Sequence, residues 1–123
     1  MTEQQAEKTV LIVEDDAGIG YLLVQFLEQE TPYAAQLVTT GNEALHILRR
    51  SRPSLLLVDY HLPGMTGIEL YDQLQHVEGG IAIPIILMSA TLPHREIAHR
   101  QMIAIQKPFD IDDLLRTIHR LLD

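Results

Sequence analysis

Glu14, Asp15, Asp59, Ser89 and Lys107 each lie at the end of a short apolar, β-type run of this chain. Three carboxylates gathered in one cleft repel each other and shift each other's pKa unless a cation joins them. Oxygen donors select a hard ion, and Mg²⁺ binds carboxylates while keeping waters and room for a phosphate oxygen. The lysine adds a second positive charge and the serine a hydroxyl donor. A carboxylate nucleophile with Mg²⁺, lysine and hydroxyl can take up a phosphoryl group on Asp59. Such transfers rest on in-line positioning and on neutralising the equatorial oxygens.

The elements that must bring these groups together follow from the apolar pattern. Leu55-Leu56-Leu57-Val58-Asp59, entered after Pro53 and left through Pro63-Gly64, is too short for a helix. It reads as a strand buried on both faces, the habit of central parallel strands, with Asp59 at the carboxyl edge where open α/β sheets bind ligands. Further strands are predicted over residues 9–13, 35–39, 84–88 and 102–106. Helical spacing marks residues 17–30, the stretch after Gly41-Asn42, residues 67–77 (closed by Gly79-Gly80) and, less periodic, residues 93–101. The last helix, capped by Asp110, carries the stripe Ile111, Leu114, Leu115, Ile118, Leu121, Leu122. Strands alternating with helices imply a doubly wound α/β fold with a five-stranded parallel sheet. All strand-end polar groups then meet on one edge.

The 123 residues suffice for one domain with a real core and not for two. Residues 1–8 are polar and read as a lead-in, and residues 9–123 as the domain. Without cysteine there is no thiolate metal site and no thiol nucleophile. That fits a reducing, cytoplasmic setting. No apolar run is long enough to cross a bilayer, so no membrane contact is expected. The net charge of −8 opposes direct nucleic-acid binding, which needs a basic face.

Four stretches resemble the receiver domain of two-component response regulators: Val13-Glu14-Asp15-Asp16, Val58-Asp59-Tyr60-His61-Leu62-Pro63-Gly64-Met65-Thr66-Gly67, Pro84-Ile85-Ile86-Leu87-Met88-Ser89-Ala90 and Lys107-Pro108-Phe109. The resemblance spans residues 8–123 and implies a flavodoxin-like sheet of order 2-1-3-4-5. It implies phosphorylation of Asp59 by a histidine kinase or histidine phosphotransfer protein, followed by contact with a downstream protein target. It further implies Mg²⁺ (with Mn²⁺ as a substitute) held by Asp15, Asp59 and the His61 backbone carbonyl, with Glu14 acting mainly through water. Ser89 and Lys107 would contact the phosphoryl oxygens, and the Lys107-Pro108 bond would be cis. Such a domain signals rather than catalyses. Because the chain stops just after its last core positions, a stand-alone receiver of the chemotaxis or phosphorelay type is expected.

Blander readings exist for the same residues. Asp16 is read as the helix cap, and Ser89 alone would be a turn hydroxyl. The histidines show no convincing ligand spacing for a transition metal. The rival function is a Mg²⁺-dependent phosphohydrolase with an Asp nucleophile, but His61 stands where its second acid is needed. Departures from the family pattern are informative too. Ala104 replaces an aromatic residue three before Lys107, so the surface of the fourth helix, last strand and last helix is expected to respond weakly. His61 is expected to modulate the phospho-Asp59 lifetime. Arg100-Gln101 replaces a common Gly-Ala. Gly18 and Gly20 suggest a first-helix surface flat enough for a partner helix.

Overall fold

The computed structural model describes residues 7–77 and 82–123. Five parallel strands form the sheet: β1 (Thr9–Val13), β2 (Ala34–Val38), β3 (Leu55–Asp59), β6 (Ile85–Ser89) and β7 (Ile103–Gln106). Their order is β2-β1-β3-β6-β7. With the small hairpin β4 (His61–Leu62) and β5 (Met65–Thr66) set aside, that is the expected 2-1-3-4-5 arrangement. β3 sits at the centre and all five of its residues are buried, as its unbroken apolar run requires.

Side chains alternate across the sheet and build two cores. Leu11, Val13, Leu56 and Val58 face α2 (Gly41–Leu48) and α3 (Gly67–Leu74), meeting Leu45, Leu48, Leu70 and Leu74. Val10, Ile12, Leu55, Leu57, Ile86 and Met88 face α1 (Ala17–Glu30) and α5 (Ile111–Leu122), meeting Leu23, Leu27, Leu114 and Ile118. Each such side chain stabilises the fold by about 1.5–3 kcal/mol relative to exposure. Helix starts are fixed locally. Thr40 accepts from Glu43 N–H to cap α2, and Thr66 with Glu69 forms a capping box on α3.

The structure corrects several details of the sequence reading. α3 ends at Leu74 and passes into turns, and the Gly79-Gly80 stop lies outside the described residues. The predicted helix over 93–101 contracts to α4 (His94–Ile97), which buries no residue and has no side-chain cap. Without an apolar stripe it has nothing to extend along. The Pro63-Gly64 turn makes the unforeseen β4–β5 hairpin, with Gly64 at φ +77°. Lys8 already belongs to the fold: its carbonyl accepts from Ala34 N–H at 3.0 Å, and its ammonium donates to the Leu122 carbonyl.

Gly20 does not serve an outer surface. It is buried, and a Cβ there would stand 2.5 Å from Leu37 Cδ1, so the missing side chain lets α1 settle onto β2. Gly18 is exposed, and a Cβ there would meet the Asp16 cap at 3.3 Å.

Candidate functional site

Parallel strands end on one edge, and that edge collects the acids. Asp59 closes β3 and is 8% exposed; Glu14, just past β1, is 2% exposed. Asp15 lies outermost and exposed. One carboxylate oxygen from each of Glu14, Asp15 and Asp59 falls within 4.8 Å of the others. Asp16 is the helix cap, accepting from Ile19 N–H at 3.1 Å, while its own N–H donates to Glu14 Oε2 at 3.2 Å.

Lys107 enters from the far side. Its backbone N–H donates to the Ser89 carbonyl at 2.8 Å, tying the ends of β6 and β7. Its ammonium lies 2.7 Å from Asp59 Oδ1 and 3.3 Å from Glu14 Oε1. The Lys107-Pro108 bond is cis. Burial alone would lower the lysine pKa. The hydrogen bond and charge of Asp59, joined by Glu14, outweigh it and hold the ammonium above the usual lysine range.

Glu14 shows the opposite balance. Burial pushes its carboxyl above the ordinary carboxylate range; the Asp16 N–H and Lys107 oppose that push, and the charge of Asp59 adds to it. The two partners thus report one situation: Lys107 gains from the acids, but one ammonium does not offset the burial of Glu14. Three carboxylates against a single cation leave net negative charge in a partly buried pocket of oxygen donors. A hard divalent ion fits that deficit.

The remaining expected groups are near but not all engaged. Ser89 is buried, and its hydroxyl donates to the Thr91 carbonyl at 2.6 Å, the turn contact of the blander reading, rather than to Asp59. His61 opens β4, exposed, its ring edge-on to Tyr60 at 4.9 Å. Ala104 lies on β7 opposite Leu87 and brings only a methyl group. Three further contacts, in two places, were not legible beforehand. Tyr60 Oη donates to Glu96 Oε1 on α4 at 2.8 Å. Arg100 donates to both Asp72 oxygens at 2.8 Å, and Gln101 N–H donates to Tyr71 Oη at 3.1 Å. The Arg100-Gln101 departure was the only trace of the last two in the sequence.

The fold and site together define a class: a doubly wound sheet presenting a buried aspartate, two further acids and a lysine at its carboxyl edge. The family model for the response regulator receiver domain matches residues 10–119, and the chain belongs to that family. It is 30% identical to sporulation initiation phosphotransferase F of Bacillus subtilis over 115 residues, covering 92% of each. It is 36% identical over 83 residues to the phosphate regulon transcriptional regulatory protein PhoB of Pseudomonas aeruginosa, matching 68% of this chain and 36% of that one. Among solved structures it resembles the chemotaxis response regulator CheY4 of Vibrio cholerae (TM-score 0.83, 26% identity, 95% of this chain and 100% of that one). It also resembles TrrA of Thermotoga maritima in complex with Mg²⁺ and BeF (TM-score 0.80, 26% identity, 94% and 99%). The chain is a receiver domain of the two-component type.

Proposed function

We propose that Asp59 is the phospho-acceptor, taking its phosphoryl group from a histidine kinase or a histidine phosphotransfer protein. The observation that carries this is the Lys107 ammonium at 2.7 Å from a buried aspartate that shares its pocket with two further acids. In the transfer, an Asp59 carboxylate oxygen bonds to phosphorus as the P–N bond of the donor phosphohistidine breaks. The departing imidazole nitrogen keeps the electron pair and takes up a proton. Lys107 is positioned to pair with the incoming phosphoryl oxygens, and Ser89 can turn its hydroxyl from Thr91 to the same oxygens.

Glu14, Asp15, Asp59 and the His61 carbonyl would hold Mg²⁺, for which Mn²⁺ can substitute. The ion would neutralise the carboxylates and the transferring group. TrrA, described as bound to Mg²⁺ and BeF, supports this by likeness. On α1, which begins directly after the acids, Ile19 is 45% exposed and Leu22 66%. Exposed apolar residues three apart suit an apolar partner helix that presents the donor histidine. The likeness to a protein named a phosphotransferase favours a phosphorelay intermediate in the cytoplasm over an enzyme acting on small substrates. No described helix is long and apolar enough to cross a membrane.

The test is incubation with Mg²⁺ and phosphoramidate or acetyl phosphate, followed by intact-mass and peptide analysis. A labile mass increase of one phosphoryl group on Asp59 is expected, absent without metal. Stable labelling elsewhere, or steady release of inorganic phosphate from added phosphomonoesters, would favour the phosphohydrolase reading.

A further inference from the structure

α4 is an unusual element: four residues, none buried, with no side-chain cap. With Ile97 only half-buried, apolar packing holds it weakly and polar contacts matter more. Of these, one leads straight to the acid pocket. Tyr60 follows Asp59, and its backbone is pinned on both sides: its N–H donates to the Met88 carbonyl at 2.8 Å and its carbonyl accepts from Gly67 N–H at 2.7 Å. The half-buried ring packs edge-on against His61, and the hydroxyl reaches Glu96 Oε1 at 2.8 Å. Glu96 is tied in turn through its carbonyl to Arg100, whose guanidinium grips Asp72 of α3.

We propose that the Tyr60–Glu96 hydrogen bond is a latch that holds α4 in its present position and opens when Asp59 carries a phosphoryl group. The inference rests on Asp59 being the phospho-acceptor. The phenol is a rigid lever with its anchor one residue from the acceptor and its tip on α4. The loop entering α4 is held from the same pocket, because the Ser89 hydroxyl donates to the Thr91 carbonyl at 2.6 Å. A phosphoryl group adds up to two negative charges and three strong acceptors. It competes for that hydroxyl and frees residues 91–93, which lead into α4. The loop cannot carry α4 away while Tyr60 holds Glu96. The latch therefore opposes the phosphorylated state, and by linkage whatever cuts it must strengthen binding at Asp59.

The experiment titrates Mg²⁺ and beryllofluoride, a phosphoryl mimic, into wild type, Tyr60→Phe, Glu96→Ala and the double variant, followed by calorimetry and amide NMR. Phenylalanine keeps the ring against His61, and Glu96 is exposed, so both variants should fold; thermal melts check this. Each single variant is expected to bind beryllofluoride about two- to tenfold more tightly, the range one hydrogen bond supports. The double variant should gain no more than either single, because both cut the same bond. In free Tyr60→Phe, the amides of His94–Ile97 should already sit between the free and bound wild-type positions.

Wild-type binding with unchanged affinity in the single variants would overturn the latch and leave the acceptor reading standing. So would additive gains, or a lowered melting temperature alone. Failure of wild type to bind beryllofluoride at Asp59 would overturn both.

Discussion

The Lys107 ammonium lies 2.7 Å from Asp59 Oδ1, an ion pair that joins the end of β7 to the end of β3 across β6. Asp59→Asn keeps an oxygen for Lys107 and removes one of three crowded negative charges. The pair is largely buried, so its attraction is set against the cost of desolvating both charges, and relief of the repulsion on Glu14 further offsets its loss. The variant should melt within a few degrees of wild type, or higher, and should not be phosphorylated by small-molecule donors. Wholesale unfolding, or labelling that persists, would refute the assignment.

Divalent metal should raise the melting temperature, because the cluster of Glu14, Asp15 and Asp59 forms only in the folded chain. At one hundred times its Kd a ligand stabilises by about 2.7 kcal/mol. For a domain of this size that is roughly 10 °C or more. Asp15→Ala should remove most of the Mg²⁺ shift while leaving the metal-free melt nearly unchanged, since Asp15 is exposed. A shift that survives would mean that other groups hold the ion. The wild-type shift should also fade in mild acid, as Glu14, whose pKa burial raises, takes up a proton before an ordinary carboxylate would.

What could be read in advance follows from how each part is held. The sheet order and the acid pocket were legible because β3 and β6 are wholly apolar and buried along their length until Asp59 and Ser89. Parallel strands then leave only one edge on which the polar ends can meet. α4 was misjudged because its position depends on Tyr60, 36 residues earlier, and on Arg100 reaching back 28 residues to Asp72. Contacts of that kind leave no periodicity. Gly20 was visible as a glycine, but which face of α1 it served depended on Leu37 of the facing strand.

The Asp72–Arg100 pair predicts a pH dependence. The Arg100 hydrogen bond holds the Asp72 carboxyl below its usual range despite some burial. A lowered folded-state value stabilises above the unfolded pKa, about 3.9, and that contribution is lost as pH falls through the folded value. Both side chains are partly exposed, so the pair is worth about 0.5–1 kcal/mol. Asp72→Asn should lower the melting temperature by a few degrees at neutral pH, and the difference should vanish as pH falls through the lowered folded-state value. A deficit that persists in acid would show that packing, and not the ion pair, is responsible.

His61 sits two residues past Asp59 with an exposed ring packed on Tyr60. His61→Ala should leave phosphorylation intact and change the phospho-Asp59 lifetime by severalfold, short of the roughly 10²–10⁴-fold of a full general acid or base. Acid-quenched time courses of the labelled protein measure it. An unchanged lifetime would show that the His61 side chain takes no part in hydrolysis.

Ala104 sets the last expectation. It stands opposite Leu87 on β7, two residues before the Ser89–Gln106 pair. If Ser89 turns toward a phosphoryl group, the neighbouring strand has only a methyl to follow it. A methyl offers neither the volume nor the alternative rotamers of a bistable element, and transmission through packing requires one. The sequence reading extended this silence to α4 as well. The Tyr60–Glu96 bond gives α4 its own route, so the silent region should shrink to β7 and α5. Amide NMR with and without beryllofluoride should show shifts around Asp59 and across His94–Ile97, with Ile103–Gln106 and Ile111–Leu122 nearly still. Changes in β7 and α5 as large as those beside Asp59 would refute it. Ala104→Tyr supplies the complementary arm: a ring there should extend the response onto β7 and α5, and a variant that binds beryllofluoride without that extension would show that side-chain volume at 104 is not what limits coupling.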